Sequence, residues 1–265
     1  MDFNLKDRKV VITGVSEGIG RALALAFCNA GAKVAGCSRG SASLEKLFHA
    51  VSGHGHVFKQ ADLTIAEDAE MFHEEVMTRF HGVDVLVNNV GSIIKMADFF
   101  GTTDEDWQES FQVNLMSAVR MSRLFIPALK NSSSPRIINI SSITAAGNGE
   151  LFPHYSAMKA GLSNFSVSLA RTLAPHNILV NTVSPGPVWT RSWEVEAKKA
   201  AKNSGMDLAQ MQNHIRSETG ESTLLKRIGM PEDITGVVLF LASDHARWIT
   251  ATNFTVDGGI LCDPF

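Results

Sequence analysis

Short runs of β-branched and apolar residues alternate along this chain with longer stretches whose apolar positions recur at helical spacing. Residues 9–13 form the first such run and lead into a glycine-rich turn. An Ala- and Leu-rich stretch from about 19 to 30 follows and stops at Gly31. The same rhythm predicts strands near 33–37, 56–61, 83–88, 136–140 and 178–183, with helices near 43–51, 66–80, 103–130 and 155–173. A short helix after Pro231 and a last strand near 253–256, closed by Asp257-Gly258-Gly259, complete the pattern. Strands that alternate with helices imply a parallel sheet, because parallel neighbours need crossover connections. The runs lack a clean polar alternation, as expected of strands covered on both faces. The predicted fold is α/β, a doubly wound parallel sheet of about seven strands. No low-complexity linker divides the chain, so residues 1–265 read as a single domain. Residues 187–227 carry helical, polar character without a strand; they read as a helical lid inserted before the last strand, at the sheet edge where ligands bind in such folds.

Composition changes this picture little, but it narrows function. With 265 residues, 45% hydrophobic and 19% charged, the chain can bury a large core without metal or disulfide staples. The formal charge of −3, from 24 basic and 27 acidic residues, offers no basic surplus for nucleic acid or an anionic membrane. The N-terminal segment lacks the apolar core of a signal peptide, and no apolar run approaches the ~18 residues of a membrane span. Cys28, Cys37 and Cys262 show no metal-ligand spacing and read as reduced thiols, so no metal is expected and the cytoplasm is the expected address.

Two stretches carry chemistry. Thr13-Gly14-Val15-Ser16-Glu17-Gly18-Ile19-Gly20 lies between the first strand and the first helix. There Gly14 permits a tight turn, Gly18 lets backbone approach a pyrophosphate, and Gly20 lets helix and strand pack closely. The helix start adds free N–H groups and partial positive charge. Tyr155 and Lys159, four apart, project from one face of a predicted helix. Only about one phenol in a thousand is ionised at pH 7. An ammonium about 4 Å away contributes on the order of 4 kcal/mol at an effective dielectric of 20, or about three pKa units, enough for proton transfer near neutrality. The chain has 15 Phe but one Tyr, so aromatic volume comes from Phe and the single phenol sits in this pair.

These motifs, with Asn88-Asn89-Val90-Gly91, Asn114, Ser141-Ser142, Tyr155-Ser156-Ala157-Met158-Lys159, Asn181, Pro185-Gly186 with Thr190, and Val256-Asp257-Gly258-Gly259, resemble the short-chain dehydrogenase/reductase family along almost the whole chain. Val90 stands where that family usually has Ala. The resemblance implies a catalytic set of Asn114, Ser142, Tyr155 and Lys159: Ser142 holds the substrate oxygen, Tyr155 moves the proton, Lys159 tunes Tyr155 and binds the nicotinamide ribose, and Asn114 supports a water relay. It implies cofactor contacts at Gly14, Ser16, Gly18, Ile19 and Gly20, at Asp62 and Leu63, at Asn89 and Gly91, and at Pro185, Gly186, Val188 and Thr190. For Asp62 the competing reading is a helix N-terminal residue, and for Asn114 a local polar contact.

Cofactor choice turns on Ser38 and Arg39 after the second strand. An acid there would hold a ribose 2′-hydroxyl; here a serine and a guanidinium suited to a 2′-phosphate favour NADP(H), with NAD(H) as the alternative. Glu17 argues the other way, since the family's NADP enzymes often carry a basic residue at that place. By position, Thr144, Phe152, Trp189 and Trp193, with Ser142 and Tyr155, line the substrate pocket, and Ser92, Ile94, Leu151 and Pro187 lie nearby. The scarcity of polar handles suggests a small carbonyl or alcohol of apolar or aromatic character; packing under the lid is the alternative for each Trp. The expected reaction interconverts a ketone and a secondary alcohol. Rivals are an NAD-dependent alcohol dehydrogenase, a 3-oxoacyl carrier-protein reductase and, outside enzymes, a nucleotide-sensing regulator. The resemblance further implies a homotetramer, or a homodimer.

Overall fold

The computed structural model describes residues 3–147 and 149–262. Met1 and Asp2, where the reading for a leader began, lie outside it, as do Asn148 and the last three residues of the span read as one domain. The described residues form seven strands: β1 (Lys9–Thr13), β2 (Lys33–Ser38), β3 (Val57–Gln60), β4 (Val85–Asn88), β5 (Arg136–Ile140), β6 (Leu179–Pro185) and β7 (Asn253–Val256). They pair in parallel in the order β3-β2-β1-β4-β5-β6-β7. Each strand sends alternate residues to opposite faces. Val10 and Ile12 of β1 join the core under α1 (Gly18–Asn29), α2 (Ser41–Ala50) and α9 (Pro231–Ala242). Val11 joins the core under α3 (Ala66–Phe80), α5 (Ser117–Leu129) and α6 (Pro153–Leu173). Phe27 anchors the first layer, and Phe72 and Phe125 the second; each is fully buried. A side chain of that size contributes about 1.5–3 kcal/mol by leaving water.

From β1 the chain winds outward first to β2 and β3, then to the other side through β4. The crevice at the carboxyl ends of β1 and β4 is therefore the topological switch point, where ligands of such sheets bind.

Two elements differ from expectation. The helical stretch expected over 103–130 is present without a break but changes pitch: α4 (Asp104–Phe111) leads through a π-helical turn, Gln112–Met116, into α5. Asn114 Nδ2 donates to the Ser110 carbonyl at 3.2 Å, taking an acceptor of the ordinary backbone ladder and accounting for the widened turn. The helix expected from 155 begins at Pro153, because proline suits the first helical position, where no backbone donor is needed.

Between β6 and β7, α7 (Arg191–Ser204) and α8 (Leu208–Glu221) form a helical hairpin. Gly205 ends α7 with φ +70, which reverses the chain. The base of the hairpin is closed by Trp189 N–H to Gly229 O at 2.8 Å and Gly229 N–H to Pro187 O at 3.0 Å. Trp189, Ala197, Ala201, Met211 and Ile228 form a small core within the hairpin, where small alanines let the two helices close on the Trp189 ring.

Candidate active site

Gly14 and Gly18 adopt φ +72 and +54, a region open to glycine at little cost. A side chain at Gly20 would overlap the Gly14 carbonyl oxygen and the Asn89 amide, so only glycine lets α1 start so close to the turn. Asn89 Nδ2 donates to the carbonyls of Thr13 at 2.9 Å and Gly14 at 3.2 Å, while the Thr13 hydroxyl accepts from the backbone N–H of Asn89 at 2.9 Å and of Val90 at 3.1 Å. These bonds lock the first turn to the loop after β4. Glu17, the residue before α1, caps none of its N–H groups, and the first turn of α1 carries no acid. Ser16 and Ile19 flank these open donors. An open helix start behind a positive-φ glycine fits a dinucleotide pyrophosphate.

Tyr155 and Lys159 lie in α6, facing Ser142 at the end of β5. The Ser142 hydroxyl accepts from the Thr144 N–H at 3.2 Å and the Thr144 hydroxyl at 3.0 Å. Both of its lone pairs are thereby used, leaving its hydrogen to donate. That donation reaches Tyr155, where it favours the phenolate, but burial outweighs it and pushes the phenol up to about 12. Lys159, 2% exposed, is pushed down to about 8, also by burial. Its Nζ donates to the Ile140 carbonyl at 2.9 Å and stands 5.7 Å from the Tyr155 ring centroid. The sequence expectation that the ammonium lowers the phenol by three units is thus corrected for the free protein: desolvation opposes both charges, and the cation is spent on a carbonyl.

A Cβ at Gly91 would lie 2.6 Å from Lys159 Nζ and 3.1 Å from Asn114 Oδ1, so this glycine makes room for the lysine head. Asn114, fully buried in the π-helical turn, donates to Ser92 O at 3.0 Å and Ser110 Oγ at 3.1 Å, and accepts from Ser92 N–H at 2.8 Å. The local polar contact is therefore present, and it ties the loop after Gly91 to the helix. Asn88 points inward, donating to Asn139 Oδ1 at 2.8 Å and Ser122 Oγ at 3.2 Å.

At the other end of the crevice, Ser38 closes β2 with its hydroxyl on Gly40 O at 3.4 Å, and Arg39 is exposed, its carbonyl held by Gln60 at 2.9 Å. Asp62 accepts from the Thr64 N–H at 3.0 Å and hydroxyl at 2.7 Å, a local turn role, and Leu63 is buried with its carbonyl on Arg120 at 2.9 Å.

On the substrate side, Phe152 meets Tyr155 edge to face, with centroids 6.1 Å apart. Trp189 and Trp193 stack at 6.3 Å and 15°, and the Arg216 guanidinium lies 4.2 Å over the Trp189 ring. Trp189, 5% exposed, thus belongs to the hairpin core, while Trp193 is half-buried. The hydroxyl of Thr144, read as a pocket handle, is engaged by Ser142. Gly186 N–H bonds Val256 O at 3.0 Å, and a Cβ there would meet Asp257 Cα at 2.7 Å, so the Pro185-Gly186 turn is braced by the residues after β7. Val188 is buried beside Gly229, and the Thr190 methyl covers Gly18. Sequence reasoning missed Thr13, Ser110 and the pairing of Glu17 with Arg191 at 3.1 Å. The partners of Thr13 and Glu17 come from distant segments and leave no local signal. Ser110 lies four residues before Asn114, and that helical spacing is the signal that could have found it.

With this geometry in place, comparison with known proteins is decisive. The family model described as Enoyl-(Acyl carrier protein) reductase matches residues 14–261. Over 266 residues the chain is 33% identical to the 3-oxoacyl-[acyl-carrier-protein] reductase FabG of Aquifex aeolicus, covering 98% of this chain and 100% of that protein. The chain belongs to the short-chain dehydrogenase/reductase family. As a member it is an NAD(P)-dependent oxidoreductase acting on CH–OH and C=O groups. Another short-chain relative, the uncharacterized oxidoreductase YvrD of Bacillus subtilis, is 36% identical over 98% of this chain and 99% of its own. Among solved structures, L-sorbose reductase from Gluconobacter frateurii, complexed with NADPH and L-sorbose, superposes with a TM-score of 0.92 at 30% identity, over 99% of this chain and 100% of that one. Among the described residues, no helix is long and apolar enough to cross a membrane.

Proposed function

We propose that this enzyme reduces a ketone to a secondary alcohol with NADPH, and runs the reverse reaction with NADP+. The observation that carries the reading is the Ser142–Tyr155–Lys159 cluster beside the open glycine turn. A bound nicotinamide dinucleotide supplies the hydride, or accepts it in the reverse direction. Ser142, its lone pairs filled by Thr144, donates to the substrate oxygen. Tyr155 remains protonated at neutral pH and gives its proton to that oxygen. Lys159 then stabilises the phenolate left behind. The glycine turn and α1 hold the pyrophosphate; Ser38 and Arg39 receive the 2′-phosphate, since no acid stands there to repel it.

For the substrate, the half-buried Trp193 and the Phe152 edge favour a ketone with an apolar or aromatic flank. A second reading, a polyhydroxy ketone, is favoured by the likeness to the sorbose reductase, because the half-buried Trp193 also suits the C–H face of a sugar. Initial rates with aryl ketones, aliphatic ketones and ketoses, each with NADPH and NADH, test both points. Faster turnover of ketoses selects the second reading. Tighter binding of NADH than NADPH by the wild-type protein refutes the cofactor assignment. If it stands, Ser38→Asp weakens NADPH binding by repelling the 2′-phosphate and improves NADH. The helical hairpin is proposed to act as a lid, and the protein to assemble as a homotetramer, which light scattering would measure.

A further inference from the structure

Glu17 stands at the point where this turn should welcome negative charge. It is the last residue before α1, a 12-residue helix whose first N–H groups are uncapped. A second helix starts at the same place. Thr190, the residue before α7, sets its methyl 3.1 Å from where a Cβ of Gly18 would lie, and α7 begins with Arg191. Two helix N-termini thus converge on Gly18, and together they favour an anion. The Glu17 carboxylate opposes a phosphate there, and Arg191 Nη1 meets Glu17 Oε2 at 3.1 Å across 174 residues of sequence.

As a free-standing pair this contact contributes little to stability: its side chains are 49% and 65% exposed, and such pairs are screened by solvent. Its position gives it another use. We propose that Arg191 is a positioning residue for the dinucleotide: by pairing with Glu17 it cancels the carboxylate at the phosphate turn, so that cofactor affinity depends on the seating of the α7–α8 hairpin. This rests on the reading of the glycine turn as the pyrophosphate site. When the hairpin is seated, the turn presents two helix starts with the Glu17 carboxylate paired to Arg191, Glu194 being the one acid in the first turn of α7. When it lifts, Arg191 leaves with it and Glu17 repels the phosphates. Linkage makes the effect mutual: bound dinucleotide holds the hairpin down by the same factor by which the seated hairpin tightens binding.

The test is a double-mutant cycle read by binding rather than turnover. Dissociation constants for NADPH and NADP+ are measured by calorimetry on wild type, Arg191→Gln, Glu17→Gln and the double variant. Arg191→Gln should weaken both dinucleotides by about tenfold, while Glu17→Gln alone leaves affinity equal or tighter and the double variant matches Glu17→Gln within about twofold. Arg191→Gln should also raise amide exchange across Arg191–Ser204 in the free protein, and Arg191→Lys should restore most of the affinity. Both residues are exposed, and an unchanged melting temperature would exclude a folding defect. Affinity of Arg191→Gln equal to wild type would make the pair an idle surface contact and overturn the proposal. Equal weakening by Arg191→Gln with and without Glu17 would also overturn it, since Arg191 would then bind phosphate directly. Failure of the wild-type protein to bind either dinucleotide would instead overturn the cofactor-site reading beneath it.

Discussion

Thr144 fills the acceptor positions of Ser142 and so decides which way that hydroxyl can act. Thr144→Val keeps the backbone bond and frees one lone pair. It should lower turnover by on the order of three- to tenfold, the worth of one hydrogen bond, with NADPH affinity unchanged by calorimetry. Tyr155→Phe keeps the ring against Phe152 and removes the acid. Turnover of a confirmed substrate should fall by the ~10²–10⁴ of a lost general acid, with cofactor binding intact; near-normal turnover would refute the role. Lys159 gives a pH signature. Its ammonium, pushed down to about 8, is lost as pH rises through that value, and with it the stabilisation of the phenolate. The kcat/KM for reduction, which reports the free enzyme, should therefore decline above about pH 8. A flat profile to pH 10 would show that Lys159 does not titrate there.

The elements carry their own tests. Gly20→Ala forces the start of α1 away from the Gly14 carbonyl and the Asn89 amide, so binding of both dinucleotides should be lost even where the fold survives, as circular dichroism would show. In the first turn of α6, His154 is fully buried, with no hydrogen-bond partner for either ring nitrogen, against Trp107 of α4. Burial holds its pKa below 6.5; Asp106 pulls it up and Lys95 pushes it further down. His73, packed on Phe125, is lowered likewise. With folded values below the unfolded one, the unfolded chain binds more protons. Stability is therefore complete above about pH 6.5 and declines as pH falls toward the folded values. His154→Gln should lessen that decline in urea melts between pH 7 and 5. The strands and most helices were legible because their apolar runs are continuous and glycine or proline punctuates them. The π-helical turn was not, because a side chain taking the Ser110 carbonyl leaves no trace in apolar spacing. The glycine turn, Ser142, Tyr155 and Lys159 were legible as motifs. The charge state of Tyr155 and Lys159 was not, since it depends on burial that only the packed chain creates.

At the scale of the whole molecule, the hairpin has its own small core yet is attached to the body through a narrow base and the Arg191–Glu17 pair. Residues 189–217 should gain hydrogen-exchange protection when cofactor and a substrate analogue are both present, as a closing lid requires. Trp193→Ala should raise KM for bulky ketones more than for small ones. Equal protection with and without ligands, together with unchanged kinetics, would assign the hairpin a fixed packing role. The position of β7 has a consequence for how the protein is made. It pairs only with β6 among the described strands, Thr182 lying opposite Asn253, so about seventy residues separate the two partners. At roughly 5–20 residues per second, a ribosome leaves the outer edge of β6 without its neighbour for several seconds. In that interval its donors and acceptors are open to pairing with another nascent chain. The Pro185-Gly186 turn also lacks the brace that Val256 and Asp257 provide. Both walls of the β1–β4 crevice precede the last strand in the sequence, whereas the Pro185-Gly186 turn gains its brace only when that strand arrives.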